Sequence, residues 1–250
     1  MHGMTADHPG EPDVARLFAP VAVEDTFAGV LTEAGQVLGG LDDPVDAELW
    51  GSDLIGALAS SAAGPASLAG ALAGSLVPAA EAAATPEALA LLRVLAAVGA
   101  PALRAAAAAA AGRLSAHGVA DPPWAGTIGA PQVLSCWHYA DVAGRQESLT
   151  MTFGYGGRQH AVCVLVDHGR GGKIRDTWVA KGAGLRADAE REAGRDPLVV
   201  FELIDAAGAR HRLERAIGAG ECPEQPDQVD GVVAHRALLR ARLDLLTALT

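Results

Sequence analysis

The amino-acid sequence predicts an α+β protein. An alanine-rich helical bundle packs on a small antiparallel sheet of about three or four strands, and helices at the carboxyl end complete the core. Three patterns support this prediction. Apolar side chains recur with the helical period through residues 13–120, where prolines separate the segments. Apolar and polar side chains then alternate, as in strands, between residues 133 and 167. Residues 229–249 return to the helical period.

These patterns divide the chain into four regions. They are a disordered lead-in (1–12), an alanine-rich helical region (13–120), a β region with a glycine-rich basic loop (121–184) and a carboxy-terminal helical region (185–250). We expect the carboxy-terminal helices to pack with the β region as one integrated domain.

Composition limits the class of protein. The chain has 250 residues, of which 50% are hydrophobic, so it can bury a substantial core and is not disordered as a whole. Alanine is the most common of its apolar residues, which predicts helices packed closely through small side chains. The formal net charge of −11 disfavours association with nucleic-acid phosphates over most of the surface. Basic residues nevertheless outnumber acidic ones between residues 145 and 186, so an anionic partner would dock there.

The cysteines and the amino terminus predict a cytoplasmic protein. Cys136, Cys163 and Cys222 are odd in number and widely spaced, unlike the cysteines of a disulfide framework. The first residues lack the basic and apolar regions of a secretory signal. The uncharged stretch from Leu54 to Ala80 is long enough to span a bilayer, but prolines interrupt it and acidic residues flank it. We therefore expect buried helices there rather than a membrane span.

Prolines, glycines and caps define the amino-terminal helices. The first helix, within VEDTFAGVLTEAGQVLGGL, is expected to end at Gly39-Gly40. Asp43 caps the next helix, which begins at Pro44. The last helix of this region is expected to end with Gly118 in the left-handed conformation. Three further prolines occupy first helical positions, where a missing N–H is harmless: Pro65, Pro86 and Pro101.

The β region begins with a candidate strand, Val133–Tyr139, and continues with a hairpin. The Gly156-Gly157 pair can take the positive φ angles of a two-residue primed turn, which places Tyr155 opposite Arg158. This register sends one set of apolar side chains to a packing face: Leu149, Met151, Phe153, Val162, Val164 and Val166. The opposite face carries Ser148, Thr150, Thr152, Ala161, Cys163 and Leu165.

The carboxy-terminal region begins with a helix over LRADAEREAG. The pattern of residues 198–204 leaves open whether this apolar run is a strand or the entry to a helix. The final helix is expected to direct one set of apolar side chains inward: Val232, Val233, Leu238, Leu239, Leu243, Leu246 and Leu249. On the same helix we expect Arg236, Arg240 and Arg242 to face mostly outward.

Five potential metal ligands lie in the β region, and their spacing does not predict a metal site. They are Cys136, His138, His160, Cys163 and His168. The first two share one strand face, whereas His160 and Cys163 are three apart and point to opposite faces, so the two pairs do not converge without a bulge. We expect small core cysteines and partly buried, hydrogen-bonded histidines, with no metal and no cofactor.

Two sets of residues are candidates for catalysis. Cys163 is a possible thiol nucleophile, but its apolar neighbours raise a thiol pKa and hide the group. The hairpin register also brings Asp167 to the rim of the sheet, beside Gln146. With His168 and Asp176, this carboxylate would serve as a general base and orienting pair or bind a divalent ion. The alternative, which we favour, is a solvated turn that caps the strand.

The segment HGRGGKIR is a candidate anion site. Its glycines allow consecutive backbone N–H groups to face a phosphate or carboxylate, and its basic side chains add positive charge. It lacks the spacing of the P-loop and of the dinucleotide fingerprint, so a plain basic loop is the other interpretation. The predicted ligand contacts are Arg170, Gly171, Gly172, Lys173 and Arg175.

One block of the chain resembles a known group of proteins. Residues 141–180, DVAGRQESLTMTFGYGGRQHAVCVLVDHGRGGKIRDTWVA, combine a D-V-x-G-x-Q turn, a hairpin and a V-L-V-D-H-x-x-G-G segment. In these features the block resembles one found in uncharacterised proteins of high-GC actinobacteria. The resemblance implies a bacterial cytoplasmic setting, and it implies no activity, cofactor or catalytic residue.

These observations predict a cytoplasmic binding or regulatory module, which contacts an anionic ligand or a protein partner through residues 167–175. The local basic excess and the lack of a complete catalytic set support this hypothesis. The alternative is a hydrolase or metal-assisted enzyme that uses Asp167, His168 and Asp176. Nucleic-acid binding through the basic sheet ranks third, because few aromatic residues are available there for stacking.

Overall fold

Residues 23–60, 65–221 and 226–246 are described by the structure, a computed structural model. The helices are α1 (Val23–Leu38), α2 (Pro44–Ser60), α3 (Pro65–Ala71), α4 (Val77–Ala83), α5 (Pro86–Val98), α6 (Pro101–Ala116), α7 (Leu185–Ala193), α8 (Ala206–Ala219) and α9 (Pro226–Leu245). The strands are β1 (Gln132–Asp141), β2 (Gln146–Tyr155), β3 (Arg158–Asp167), β4 (Lys173–Lys181) and β5 (Val199–Ile204). The fold class is α+β, as predicted. The predicted disordered lead-in lies outside the described residues.

The predicted helix boundaries are confirmed where they rest on proline and glycine. Helix α1 ends at Leu38, and Gly118 follows α6 with a φ of 88°. Helices α2, α3, α5 and α6 each begin at the proline that the sequence indicates. Pro78 lies near the start of α4, and the chain reaches α4 through a π-helical turn rather than a loop. This turn covers Leu72–Leu76, and in it the Val77 N–H donates to the Leu72 carbonyl. A proline cannot donate a helical hydrogen bond, and the wider turn accommodates its ring.

The long uncharged stretch forms several short elements rather than one span. Helix α2 ends at Ser60, and the chain between α3 and α4 takes the π-helical turn. Within the described residues, no helix combines the length and the apolar character needed to cross a bilayer.

Helix α2 lies at the centre of the helical part, because its glycines allow two other helices to approach closely. A Cβ at Gly51 would meet Val94 of α5 at 2.0 Å, and a Cβ at Gly56 would meet the Val233 carbonyl oxygen of α9 at 2.5 Å. Ser52 fixes the α2–α9 contact further. Its hydroxyl donates to the Ala234 carbonyl at 2.5 Å and accepts from the Leu238 N–H at 3.0 Å, so it inserts into the hydrogen-bond ladder of α9.

The sheet is antiparallel, with strand order β4-β3-β2-β1-β5. The predicted hairpin register is confirmed, since Tyr155 pairs with Arg158 and Gln146 pairs with Asp167. Gly156 has a φ of 60°, which is the first central position where a type II′ turn needs a positive angle. The register is therefore fixed by a two-residue turn and extends over the full length of both strands.

Two edge strands make the sheet larger than the predicted three or four strands. Strand β4 follows the basic loop and pairs with β3. Residues 199–204, whose conformation the sequence leaves open, form β5 and pair with β1. The sheet therefore takes its last strand from the region that the sequence predicts to be helical.

The two faces of the sheet have different environments. The inner face packs on α8, α9 and the helical bundle, and its predicted apolar residues all lie in the core. Cys136, His138 and His160 also belong to this face, because they pair with Met151, Leu149 and Phe153. The outer face, across which α7 passes, carries the alternate residues of each strand, so the predicted assignment of the hairpin residues to opposite faces is confirmed.

Arg242 corrects one prediction from the sequence. The helical pattern predicts that it faces mostly outward from α9, but its side chain is 0% exposed, as is that of Glu48 on α2. Arg242 Nη1 donates to Glu48 Oε1 at 3.1 Å, and Arg242 Nη2 donates to Glu48 Oε2. The helical period places Arg242 on the inner side of α9, where a charge is stable only with a partner of opposite sign.

The hairpin completes this buried network. The Tyr155 hydroxyl donates to Glu48 Oε1 at 2.7 Å, and the Gly129 N–H donates to the same oxygen at 3.1 Å. Arg242 Nη2 donates to His160 Nε2 at 3.2 Å, so His160 is neutral and carries its proton on Nδ1. The guanidinium also lies over the Phe153 ring, 5.2 Å from its centroid. The network joins α2, α9, the hairpin and the segment before β1.

We predict a strong energetic coupling between Glu48 and Arg242. Arg242→Met would leave the Glu48 carboxylate buried without a cation, and we expect it to lower the free energy of unfolding by about 3–5 kcal/mol. The double variant Glu48→Gln/Arg242→Met is expected to lose much less than the sum of the two single losses, because no unpaired charge remains. Urea denaturation measures the three values, and strictly additive losses would contradict this prediction.

We also predict that His160 makes the stability of the protein depend on pH. Burial, with the charges of Arg242 and Lys181, lowers the pKa of His160 from 6.5 to about 3. The unfolded chain therefore binds a proton below about pH 6.5 that the folded protein does not, so the free energy of unfolding falls as the pH falls toward 3. His160→Gln keeps an acceptor for Arg242 and is expected to flatten this loss between about pH 7 and 5. His211→Gln, at an exposed position, is the control and should leave the slope unchanged.

Candidate functional site

The connection between β4 and β5 builds a cleft on the outer face of the sheet. These strands lie at opposite edges, so the chain between them must cross one face. The inner face is covered by the core helices, and α7 carries the chain across the outer face. Gly182 and Gly184 precede α7 with φ angles of 129° and 84°, which allow the chain to reverse after β4.

The space between α7 and the sheet, which we name the outer cleft, has a volume of about 510 Å³. This volume lies within the range of about 300–1,000 Å³ that is typical of small-molecule sites. The outer-face residues of β1 to β4 form the floor, and α7 and β5 form one wall. The lining residues are Trp137, Tyr139, Asp141, Gln146, Glu147, Ser148, Thr150, Ala161, Cys163, Leu165, Trp178, Ala180, Leu185, Ala189, Glu192 and Val199.

Three aromatic side chains line the outer cleft. Trp137 is 2% exposed and contacts Phe201 of β5, with ring centroids 6.2 Å apart. Tyr139 follows two residues later on the same face and is half-buried. Trp178, on β4, is 39% exposed, which is high for the largest apolar side chain. The rings therefore come from two strands, β1 and β4, and several small side chains of β2 and β3 lie in the floor between these strands.

Helix α7 covers the cleft without filling it. A helix that crosses a sheet normally buries an apolar stripe against it. None of the residues of α7 is buried, and its two apolar lining residues, Leu185 and Ala189, are only half-buried. The apolar surface of the sheet beneath α7 thus remains open to a ligand.

The charged residues that line the outer cleft are all acidic among the residues that the structure describes. Asp141 accepts hydrogen bonds from the backbone N–H groups of Ala143, Arg145 and Gln146, and the bond from Gln146 contributes most to the lowering of the Asp141 pKa. Asp141 is therefore ionised at neutral pH. Tyr139 lies two residues before Asp141 on the same strand face, and burial, with the nearby charges of Glu192 and Asp196, raises its pKa.

Glu147 connects the outer cleft to a polar cluster at the rim of the sheet. Its carboxylate accepts from Arg212 Nη1 at 2.9 Å, and it lies 3.8 Å from His138 Nδ1 and 3.6 Å from His168 Nε2. His138 Nε2 lies 2.8 Å from a Glu202 carboxylate oxygen. Arg212 balances the charge of Glu147, which is itself buried.

The structure places Asp167 and His168 at the rim and Asp176 within β4, and it gives the three residues separate contacts. Asp167 is the last residue of β3, and its Oδ2 lies 3.8 Å from Arg170 Nε. His168 begins a short 3₁₀ turn and approaches Glu147 rather than either aspartate. Asp176 accepts from the Thr177 N–H at 2.7 Å and lies against Gly231 of α9. The carboxylate beside His168 is therefore one that the sequence does not suggest.

The basic loop uses its backbone donors internally. Gly171 and Gly172 both have positive φ angles, as the glycine-rich sequence allows. The N–H groups of His168 and Gly169 donate to the Arg145 carbonyl, and those of Gly171 and Gly172 donate to the carbonyls of His168 and Asp167. An anion at this loop would therefore be held by side chains, among them Arg170, Lys173 and Arg175. The anion-binding hypothesis for this loop stays a prediction.

The candidate metal ligands lie on both faces of the sheet, as their spacing predicts. Cys136, His138 and His160 are on the inner face, whereas Cys163 lines the outer cleft. In the described part of the chain, no three His, Cys, Asp or Glu side chains are arranged to hold a metal ion. Cys222 lies outside the described residues.

Sequence patterns predicted a helix over LRADAEREAG, which is α7, but they did not identify the aromatic walls of the cleft or the position of α7 over the sheet. They assign Trp178 to no strand. They assign Trp137 and Tyr139 to a strand, but they do not indicate on which face of the sheet the two side chains lie. A usable signal is nevertheless present, because Trp137, Tyr139 and Trp178 share the strand parity of the polar hairpin face. Large aromatic residues on the face that also carries Ser148 and Thr150 indicate a surface that is apolar and yet not packed.

Comparisons of this chain with protein-family models, with curated proteins and with solved structures found no match. The function of the protein must therefore be inferred from the geometry of the site.

We predict that the thiol in the outer cleft is unreactive. Burial raises the pKa of Cys163 to about 11, and the Thr150 hydroxyl lies 3.7 Å from its sulfur. Because the thiolate is the nucleophile, we expect alkylation of Cys163 by iodoacetamide at neutral pH to be at least about tenfold slower in the folded protein than in urea. Peptide mass spectrometry measures the alkylation rate of each cysteine separately. Cys136, which is buried on the other face of the sheet, is the internal control. Equal rates at Cys163 in both states would contradict the prediction.

Proposed function

We propose that this protein is a binding module that takes a small molecule with an apolar body into the outer cleft. The observation that carries the proposal is that α7 crosses an aromatic sheet face and buries none of its own residues there. Apolar surface is normally removed from water by packing, because its exposure is unfavourable. A ligand between Trp178 and α7 would cover the surface that the protein itself leaves open.

The polar groups of the outer cleft support binding with a defined orientation. Ser148, Thr150 and Gln146 lie along β2 in the floor, so hydrogen-bonding groups are set among apolar ones. Such a combination is typical of sites that recognise small molecules. The hairpin beneath is rigid, since its other face is held by the Glu48–Arg242 network. The floor is therefore preorganised, and the covering helix is the part that adjusts.

The position of α7 supports a covering role in this binding. Gly184 caps its amino end, and Gly194 follows its carboxyl end. Glycines at both ends allow the helix to move as a unit when a ligand enters. The ligand would gain contacts with Leu185 and Ala189 as the helix closes on it.

We predict saturable binding of an uncharged apolar fluorophore, N-phenyl-1-naphthylamine, with its emission enhanced in the outer cleft. Trp178→Ala removes one aromatic wall, and we expect it to weaken binding by about tenfold. Because Trp178 is partly exposed, this change should leave the urea midpoint nearly unaltered. Fluorescence titration measures the dissociation constant of each variant.

A second cavity of about 370 Å³ among the helices provides the control. Ala69→Phe narrows that cavity and does not touch the outer cleft, so it should leave binding of the fluorophore unchanged. If Ala69→Phe lost binding while Trp178→Ala kept it, the fluorophore would bind in the cavity among the helices, and this result would contradict the proposal.

A further inference from the structure

We propose that the ligand of the outer cleft is an organic cation, in which an ammonium group is attached to an apolar body. This inference rests on the proposed function and adds the chemical class of the ligand. Two features of the outer cleft support it independently, namely the aromatic rings and the sign of the charges around them.

The aromatic rings favour a cation over an anion. The faces of indole and phenol rings carry negative electrostatic potential, and they attract ammonium groups most strongly where water is partly excluded. Trp137, Tyr139 and Trp178 line one continuous space. Anions are repelled by the same ring faces. The aromatic walls would therefore stabilise such a cation in two ways, because they would bury its apolar body and their ring faces would attract its charge.

The carboxylates strengthen the same preference. Asp141 and Glu192 line the outer cleft, and Glu192 and Asp196 lie near the Tyr139 hydroxyl. Glu147 contributes less, because Arg212 balances it. Among the described residues that line the cleft, neither lysine nor arginine is present. An entering ammonium group would thus meet the negative charges of Glu192 and Asp196 at the end of the cleft near Tyr139.

This charge pattern separates the outer cleft from the basic loop. The sequence predicts an anion at the loop, whose arginines and lysine lie beyond the end of β3. The cleft lies between α7 and the outer face of the sheet, and the charges of its lining residues are of the opposite sign. The protein therefore has two regions of opposite charge, namely the basic loop and the outer cleft. The outer cleft is acidic and has aromatic side chains in its lining.

Three probes with one phenyl body test the inference. They are 2-phenylethylamine, which is a cation at neutral pH, 2-phenylethanol, which is neutral, and 3-phenylpropionate, which is an anion. We expect the amine to bind at least about tenfold more tightly than the alcohol, and the anion to bind most weakly. Isothermal titration calorimetry at low salt measures all three with the full-length protein. Equal affinity for amine and alcohol, or tightest binding of the anion, would overturn the inference while the apolar site stands.

Variants on α7 locate the charge effect. Glu192→Gln should reduce the ratio of amine to alcohol affinity several-fold, because it removes a negative charge and keeps the size of the side chain. Glu190→Gln is the matched control, because Glu190 is exposed on the same helix and does not line the cleft. Trp178→Ala should weaken both the amine and the alcohol. If neither probe binds and the fluorophore does not bind either, the proposed function itself is wrong.

Discussion

The buried ion pair between Glu48 and Arg242 is the interaction on which the rest of the structure depends. It joins α2 to α9, and the Tyr155 hydroxyl and the His160 ring attach the β2–β3 hairpin to the same pair. Each charge is costly in the core, so each partner holds the others in place. The inner face of the sheet is thereby fixed against the helices in one orientation. A hairpin that was shifted by one residue would turn Tyr155 and His160 to the other face, so the buried pair would lose the hydrogen bonds that these two side chains make to it.

The fixed inner face determines where the outer cleft forms. Because α8, α9 and the bundle occupy the inner side, the chain from β4 to β5 can cross only the outer side. A connection that carries a short polar helix cannot cover the whole outer face of a five-stranded sheet. Helix α7 contributes only Leu185 and Ala189 to the apolar lining, and Trp178 stays partly exposed at the opposite wall. The unfilled space follows from the topology and from the composition of one helix.

The sequence predicted those features that local chemistry decides. The Gly156-Gly157 turn set the hairpin register because the two strands are joined by two residues, and prolines marked helix starts because their effect is confined to one turn. Arg242 was assigned to the wrong side because its partner lies 194 residues earlier, and a helical pattern identifies an arginine as polar without showing what it meets. Strand β4 was missed since a bulge near Val166 interrupts its pairing and its alternation. The outer cleft needs α7 and all five strands together, so no single segment could predict it.

The uneven charge along the chain has a second explanation in the fold. The acidic amino-terminal half and the basic β region meet in space, where Lys181 forms an ion pair with Asp46, and Arg158 donates to the Asp42 carbonyl at 2.8 Å and lies 4.0 Å from Asp43. Part of the basic excess thus serves to dock the sheet on α2, and it is not available to an external anion. The net charge of −11 remains unbalanced elsewhere, and the outer cleft is one place where it gathers beside apolar surface. A count of charges along a segment therefore predicts the sign of a partner only after the charges used within the fold are removed, and at the outer cleft the remaining sign favours a cation.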